Sequence, residues 1–528
     1  MKNRAFVFAS IAFVLLAVSL GLAQRAPHKS PVVAVLPDKP LIAPQVDRVW
    51  TATREVTSLQ FAPDGTLWAG TNGGVLRRDT RGAWRKWTRR DGLPSHEVRA
   101  LQIGKEITIG TPRGNAVFDG KNWRATKTKA PATPSTQAKW RGKLYTANPE
   151  ALSVSSGGKK SQIALPPSSG THISALLGRS DGLWAAFYGD GLWKFDGRSW
   201  KRALQIPMGA REITSLSARG KTLALGTRRA GIWLFDGARW SQWLQPNEPF
   251  DHNIQFIDEA GGALLCTTLE DGLVSWNGKN WNYLWPQLSS NAPRQMARFR
   301  GALWLRHGGG RIDRWNGTQW VKNVFPKLPR GRTSALAADS THLYLGQWGG
   351  WSEWDGKSFR HFLGLPELQG VPVLSLLPDG ETLWIGTQSK GVGEWHYATR
   401  KLTWHDERAG VPDDWITSLA RAGKTLYAGT FVGGLARWDA GQWRTVKELE
   451  GQNVTALEPD GDAIWIATRI GVGRIASDGT FRFLKLPLLD PENQALHRVP
   501  GGLFIGARTG LSFVSNASLK SALKSTPE

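Results

Sequence analysis

The chain has almost none of the staples that exported proteins use. Cysteine occurs once in 528 residues, as Cys266, so no internal disulfide can form. Cys266 falls in an apolar strand pattern (Ala263, Leu264, Leu265, Cys266), where a buried, inert thiol is expected. Long apolar runs are equally scarce. Residues 6–20 form one, and no second stretch of membrane-spanning length follows. Catalytic signatures are missing too: there is no Gly-x-Ser-x-Gly, no His-Glu-x-x-His and no phosphate-binding glycine loop with its lysine. Cofactor and metal are therefore not expected. Acidic pairs such as Asp413-Asp414 and Glu270-Asp271 keep open a carbohydrate-active enzyme, a glycosidase or lyase drawing carboxylates from separate loops.

What is present points to export and to short strands. Lys2 and Arg4 precede the apolar run, and Gly21 and Ala23 offer small residues for cleavage before Gln24. Residues 1–23 read as a signal peptide, with an uncleaved N-terminal anchor as the alternative. The expected location is periplasmic or secreted. Residues 24–45 carry five prolines and read as an extended linker. Gly 60 and Trp 28 favour tight hairpins and aromatic-rich strands over long helices. The net charge of +24 favours anionic partners such as an acidic polysaccharide. The positive residues are spread rather than clustered, which suits a solvated basic surface equally well, and no nucleic-acid partner is expected.

Residues 46–515 repeat one unit about twelve times. Its first copy reads VTSL (56–59), DGTLWAGT (64–71), GGVL (73–76) and WRKW (84–87). The Gly70 position recurs at Gly110, Ala147, Ala186, Gly226, Thr267, Arg306, Gly346, Gly386, Gly429, Ala467 and Gly506. The spacing of roughly forty residues is that of a four-stranded propeller blade. Strand a alternates apolar and small polar residues; Asp-Gly pairs turn the chain into strand b; strand b carries Leu-Trp and then a small residue that lets blades approach. A second Asp-Gly or Asn-Gly (Gly120, Gly197, Gly237, Gly278, Gly317, Gly356) predicts a type I′ hairpin between strands c and d. Aromatics flank each of these turns and pair across the strands, so the tryptophans are structural first. The last copy lacks strand d, while residues 46–51 look like an orphan strand d. Pairing the two would remove both free edges. The fold expected is an all-β propeller of twelve blades. Six plus six in two rings, divided near 287–293, is the favoured arrangement; five plus seven and one large ring stay open. Residues 516–528 read as a flexible tail.

The string at 56–75, the VLSL-to-IGT string at 373–387 and the Asp-Gly-Leu-Pro at 91–94 resemble the two-component regulator propeller repeat. The resemblance covers nearly all of 50–510, strongly in copies one, nine and ten and loosely in three, six and seven. It implies a periplasmic, ligand-sensing propeller of the kind found in hybrid histidine kinases, often detecting oligosaccharides. No kinase or regulator part accompanies it here. That leaves a stand-alone, non-enzymatic binding protein, its ligand an anionic glycan or an envelope component, with an envelope assembly scaffold as a further alternative.

Function is expected where the repeats disagree. The d–a and b–c loops open on one face, and the b–c loops offer Arg113, Tyr188, Asp190, Arg228, Arg229, Trp348, Lys390, Phe431, Arg469 and Arg508. With Arg306 nearby, the arginines suit carboxylate or phosphate recognition, although solvated loop tips would look the same. The d–a loops add His96, His172, His252 and Trp415. If blades two, four and six shared a ring, the three histidines would line one channel mouth; uncoordinated loop histidines are the simpler reading.

Overall fold

The computed structural model describes residues 41–524, apart from 42, 129–130, 132–135, 167–171, 246, 250, 252, 285–286, 329–332 and 487–491. The expected signal peptide and nearly all of the proline-rich linker lie outside the described residues. The rest forms twelve four-stranded antiparallel sheets, each one blade. No helix among the described residues is long and apolar enough to cross a membrane.

Each blade follows its sequence copy. In blade 1 strands a to d are Val56–Phe61, Leu67–Thr71, Gly74–Arg78 and Trp84–Trp87. Strand b is buried along its whole length, including Trp68, because neighbouring sheets cover both of its faces. The c–d hairpins differ from expectation. Only the glycine has positive φ (Gly120 at 99°, Gly197 at 109°), and the preceding Asp or Asn is not left-handed. Instead its carboxylate or amide oxygen accepts two backbone N–H groups further on, as Asp119 Oδ1 does from Lys121 (2.9 Å) and Asn122 (2.8 Å). The turn is an Asx turn in a four-residue loop rather than type I′.

The strand-d exchange is as expected. Strand Arg48–Trp50 pairs with Gly510–Ser515, with Arg48 opposite Phe513 and Trp50 opposite Leu511. Trp50 then sits among Trp276, Trp281 and Phe504, with ring centroids 5.3 to 6.4 Å away. The expected flexible tail is instead a helix, Asn516–Lys524. It buries Leu519 against Trp465, Leu496 and Leu503, and Ser518 donates to Asp47 Oδ2 (2.7 Å), so an amphipathic face holds the end of the chain.

How the blades close corrects the six-plus-six expectation. The first residue of strand a in one blade packs on the small residue of strand b in the blade before it. A methyl added to Gly70 would stand 2.7 Å from Val98 Cγ1, and one on Gly386 would stand 2.7 Å from Ile416 Cγ2. At Gly226, in blade 5, the group met is not in blade 6 but Val56 of blade 1, at 2.6 Å. At Gly506, in blade 12, it is Ile254 of blade 6, at 2.7 Å. A side-chain hydroxyl repeats the message. Thr57 donates to the Val98 carbonyl (2.5 Å) and Ser174 to that of Ile213 (2.6 Å), whereas Thr214 of blade 5 donates to Val56. One apolar cluster joins Val56, Leu59 and Leu67 to Ala224 and Ile232; another joins Ile254 and Trp276 to Phe504 and Phe513. Blades 1–5 therefore form one ring and blades 6–12 a second. The division lies near 244–253, and the 287–293 segment is an ordinary connection between blades 6 and 7. The exchanged strand closes the seven-bladed ring, and the five-bladed ring is inserted after it.

The chain crosses between rings at 51–55 and again at 244–253, and one carboxylate ties the two crossings. Buried Glu248 accepts from Thr53 N (2.7 Å) and Thr53 Oγ1 (2.8 Å) and pairs with Lys86 Nζ (3.2 Å). Lys86 also donates to the Thr51 carbonyl (2.7 Å). Burial lowers the Lys86 pKa, and Glu248 opposes that shift.

Gly226→Ala should lower stability by about 1–3 kcal/mol, because its Cβ would meet Ser215 Oγ and Val56 Cγ1. Thermal melts of double variants check the ring assignment: Val56→Ala should relieve part of the loss and Ile254→Ala none of it. Gly104→Ala, with its nearest neighbour at 3.9 Å, serves as the control.

Candidate functional site: the loop face and the cleft between the rings

The b–c loops are shaped by a threonine at the end of strand b. Thr71, Thr227, Thr268, Thr387 and Thr430 are fully buried, and each hydroxyl donates to a glycine carbonyl three or four residues on, at 2.7 to 3.0 Å. The next residue extends the antiparallel register by one step, its N–H bonding to the carbonyl just before strand a. Tyr188 bonds to His172 this way (3.1 Å), Arg228 to Glu212 (2.9 Å), Phe431 to Trp415 (3.0 Å) and Arg508 to Glu492 (3.1 Å). One b–c side chain and one d–a side chain thus stand together at the lip of each of these blades.

The resulting pairs are specific. His172 stacks on Tyr188 at 5.6 Å, and Trp415 stacks on Phe431 at 4.4 Å. Arg469 lies over Phe431 at 5.9 Å, which adds the next blade to the same group. Arg508 pairs with Glu492 at 3.4 Å. Of six exposed large apolar side chains among the described residues, four are on b–c loops of the seven-bladed ring: Leu269 (37%), Trp348 (55%), Val432 (58%) and Ile470 (56%).

The two loop faces meet in a cleft of about 210 Å³. The five-bladed ring contributes Arg54, Glu55, Asn72, Arg228 and Arg229; the seven-bladed ring contributes Asp251, Asn253, Glu270, Asp271 and Arg508. Arg229 Nη2 lies 2.8 Å from Glu270 Oε2, and Arg228 Nη2 lies 3.7 Å from Glu270 Oε1. These contacts span the two rings. Burial opposes the charge of Arg228, but the Tyr188 oxygen, Glu270 and Glu55 more than offset it and its pKa is raised. Burial lowers the Arg54 pKa despite Asp271 and Glu248 nearby. Asp251 serves as a loop cap, its two oxygens accepting from Asn253 N (3.1 Å) and Glu270 N (3.0 Å).

The expected site residues separate into groups. Arg228, Arg229 and Arg508 come together in the cleft; His172, Tyr188, Trp415, Phe431 and Arg469 form the lip pairs; Arg113, Trp348 and Lys390 are exposed on blades 2, 8 and 9. Two expectations are corrected. Asp190 turns back onto its own blade, accepting from Trp193 Nε1 (2.7 Å) and pairing with Arg202 (2.7 Å). His96 is not at an open mouth: it is fully buried between the rings, its Nδ1 3.5 Å from Thr509 Oγ1. Burial, with Arg89 and Lys86 nearby, lowers its pKa to about 3. His252 lies outside the described residues, and its blade belongs to the other ring, so the three histidines share no channel. No cluster able to hold a metal occurs among the described residues. Arg54, Glu55, Asp251 and Asn253 were missed because they lie on the crossings between rings, which the repeat pattern treats as linkers. Cys266 is buried, and burial raises its thiol pKa.

The Glu458 carboxyl has a pKa raised to about 7. Burial is the main cause, with Asp258 and Asp460 adding to it and Arg498 N–H and charge opposing. It lies toward the far end of strand a (Val454–Asp460), away from the loop face, and accepts from Arg498 N at 2.7 Å.

No protein-family model matches the chain, and a search of curated proteins finds no match. Solved structures do match. PorZ, an essential bacterial surface component of the type-IX secretion system of Porphyromonas gingivalis, is similar over 90% of this chain and 87% of that one, with 13% identity and a TM-score of 0.62. The GH74 enzyme of Niastella koreensis covers 88% of this chain and 98% of its own, with 12% identity and a TM-score of 0.57. The extracellular domain of a putative hybrid two-component system, BT3049 of B. thetaiotaomicron, covers 89% and 70%, with 18% identity and a TM-score of 0.46. The chain is a multi-blade β-propeller, and extracellular domains of the kind implied by the repeat resemblance are among the structures similar to it.

Glu458 is held protonated in the fold above its ordinary pKa of 4.5, so stability should fall as pH rises from 4.5 through about 7. Glu458→Gln should flatten that slope and raise the melting temperature at pH 8, by at most about 2–3 kcal/mol of stability. His497, 3.7 Å from Glu458, is itself titratable with a pKa lowered by burial, so His497→Asn should be melted in parallel.

Proposed function

We propose that the chain is an exported, non-enzymatic binding propeller whose ligand occupies the cleft between the rings. The cleft itself supports this most directly: loops of blades 1, 5, 6 and 12 converge there, and four guanidinium groups face four carboxylates and two amides. The purely anionic ligand suggested by net charge does not suit this balance. Planar donors and acceptors of both kinds suit a polyhydroxylated ligand, whose neighbouring hydroxyls both donate and accept. A glycan meets that description, and the stacked Trp415–Phe431 pair offers a flat face for sugar rings elsewhere on the same rim.

The GH74 likeness raises hydrolysis as an alternative. A retaining or inverting glycosidase needs two carboxyls flanking the bond, one acting as proton donor. In this cleft Asp251 is spent on loop N–H groups and Glu270 on Arg228 and Arg229, so these two acids serve as structure and ligand contacts.

A protein partner is the second reading, favoured by the four exposed apolar tips on the seven-bladed ring. PorZ, as a surface component of a secretion system, is the neighbour that accords with it.

Glycan-array binding followed by calorimetry tests the first reading. Arg228→Ala and Arg508→Ala should each weaken glycan binding by roughly tenfold or more. Unchanged affinity in both variants, or no glycan bound at all, would remove the cleft as a glycan site and leave the protein-partner reading.

A further inference from the structure

At the seam between blades 7 and 8 the repeat is broken by a positive charge. At the small position of strand b, eleven blades carry Gly, Ala or Thr; blade 7 carries Arg306. Its side chain is 9% exposed, and its partners are neutral: Nε donates to Gln295 Oε1 (2.9 Å) and Nη1 to the Thr333 carbonyl (3.2 Å). The second bond has a clear purpose. In blades 8, 10 and 11 the hydroxyl of Ser334, Thr417 or Thr455 donates to the carbonyl that opens strand a of the following blade. Blade 7 has no hydroxyl there, and Arg306 makes that strap instead.

The hydroxyl is missing because its position is held by Arg294. Strand a of each blade neighbours strand a of the next, so these residues surround the axis of the seven-bladed ring. The other six are Gln255, Ser334, Leu374, Thr417, Thr455 and Gln494, all uncharged. Arg294 is half-buried, and its Nη1 is shielded without a hydrogen-bond partner among the described residues. Neither Arg294 nor Arg306 is ion-paired with a carboxylate there. Asp251 acts on Arg294 only through space, and its oxygens already cap a loop. Two guanidiniums that repel each other, with no counter-charge in contact, cost free energy unless an anion joins them. Burial, with Arg294, lowers the Arg306 pKa to about 9.

The b–c loop of blade 7 reads Gly308, Gly309, Gly310, so this loop itself puts no side chain over Arg294, and a methyl added to Gly309 would meet nothing within 4 Å. Arg294 Nε would lie 3.5 Å from a methyl on Gly308, directly under that loop.

We propose that the mouth of the seven-bladed ring at blade 7 is an oxyanion site, in which the Arg294 guanidinium receives a carboxylate or phosphate group. The glycine loop leaves room for the oxyanion, and Arg306 supplies a second positive charge behind it. Trp348, on the next b–c loop and 55% exposed, gives an acidic sugar a flat surface that inorganic phosphate would not use. The site is separate from the cleft between the rings and does not depend on glycan binding there.

Thermal melting and calorimetry of the full chain, with inorganic phosphate and with glucuronate at matched ionic strength, test it. The intact protein should be stabilised by the anion, whereas Arg294→Gln should lose the response, its affinity falling roughly tenfold or more. Response to both anions assigns a general oxyanion site; response to glucuronate alone assigns an acidic sugar. Without anion, Arg294→Gln should melt no lower than the intact protein, because it removes an uncompensated charge. Arg294→Lys, which keeps the charge without the fork, should retain a weakened response. The proposal is overturned if Arg294→Gln responds like the intact protein, if the intact protein does not respond, or if Arg294→Gln is strongly destabilised without anion while Arg294→Lys is not.

Discussion

The architecture depends on one close approach repeated around each ring. The first apolar residue of strand a seats itself against the small residue of strand b in the preceding blade, as Val98 does on Gly70 and Val454 on Gly429. A side chain on either partner beyond what the space holds would force the sheets apart. The hydroxyl strap beside it, from Thr57 or Thr417 to the next carbonyl, fixes the relative height of the blades. With no disulfide to call on, ring closure rests on repeating this contact until the last blade meets the first. The same contact identifies the rings, since Val56 seats on Gly226 and Ile254 on Gly506.

The two rings close in different ways, and this places the cleft. The seven-bladed ring is latched by an exchanged strand, with Trp50 locked among Trp276, Trp281 and Phe504. The five-bladed ring closes by side-chain packing and by the crossings, where Glu248 binds Thr53 and Lys86. Because both crossings pass the same point, loops of blades 1 and 5 are brought against loops of blades 6 and 12. A charged cleft follows from that connectivity. His96 and Thr509, distant in sequence and buried together, belong to the same junction.

Much of the blade was legible because its residues answer local demands. Leu-Trp on strand b, Asp-Gly at the a–b turn and the orphan strand at 48–50 are each readable from spacing and side-chain type. The site was legible only in part. Arg228, Arg229 and Arg508 stood out as departures from the repeat, but Arg54, Asp251 and Asn253 sit where no repeat exists to depart from. Asp190 misled because Trp193 and Arg202, which claim it, lie on the same blade and look like ordinary strand residues. The C-terminal helix was missed because its apolar face is short, and only the exposed end of blade 12 makes Leu519 worth burying.

The sequence by itself determined that there are twelve blades, what fills the spaces between them and how the final edge is covered. Each of those features is set by contacts within a blade or with its immediate neighbour, and such contacts leave a period near forty residues. The number of blades in each ring was decided only in three dimensions. The residue that seats on Gly226 comes from 170 positions earlier, in blade 1, although Ile254 of blade 6 is the same kind of residue and nearer in sequence. The seams at Gly70, Gly226, Gly386, Gly429 and Gly506 use the same interchangeable pair, so nothing in the pair records which partner it will meet. That choice rests on the crossings at 51–55 and 244–253, and with it the cleft.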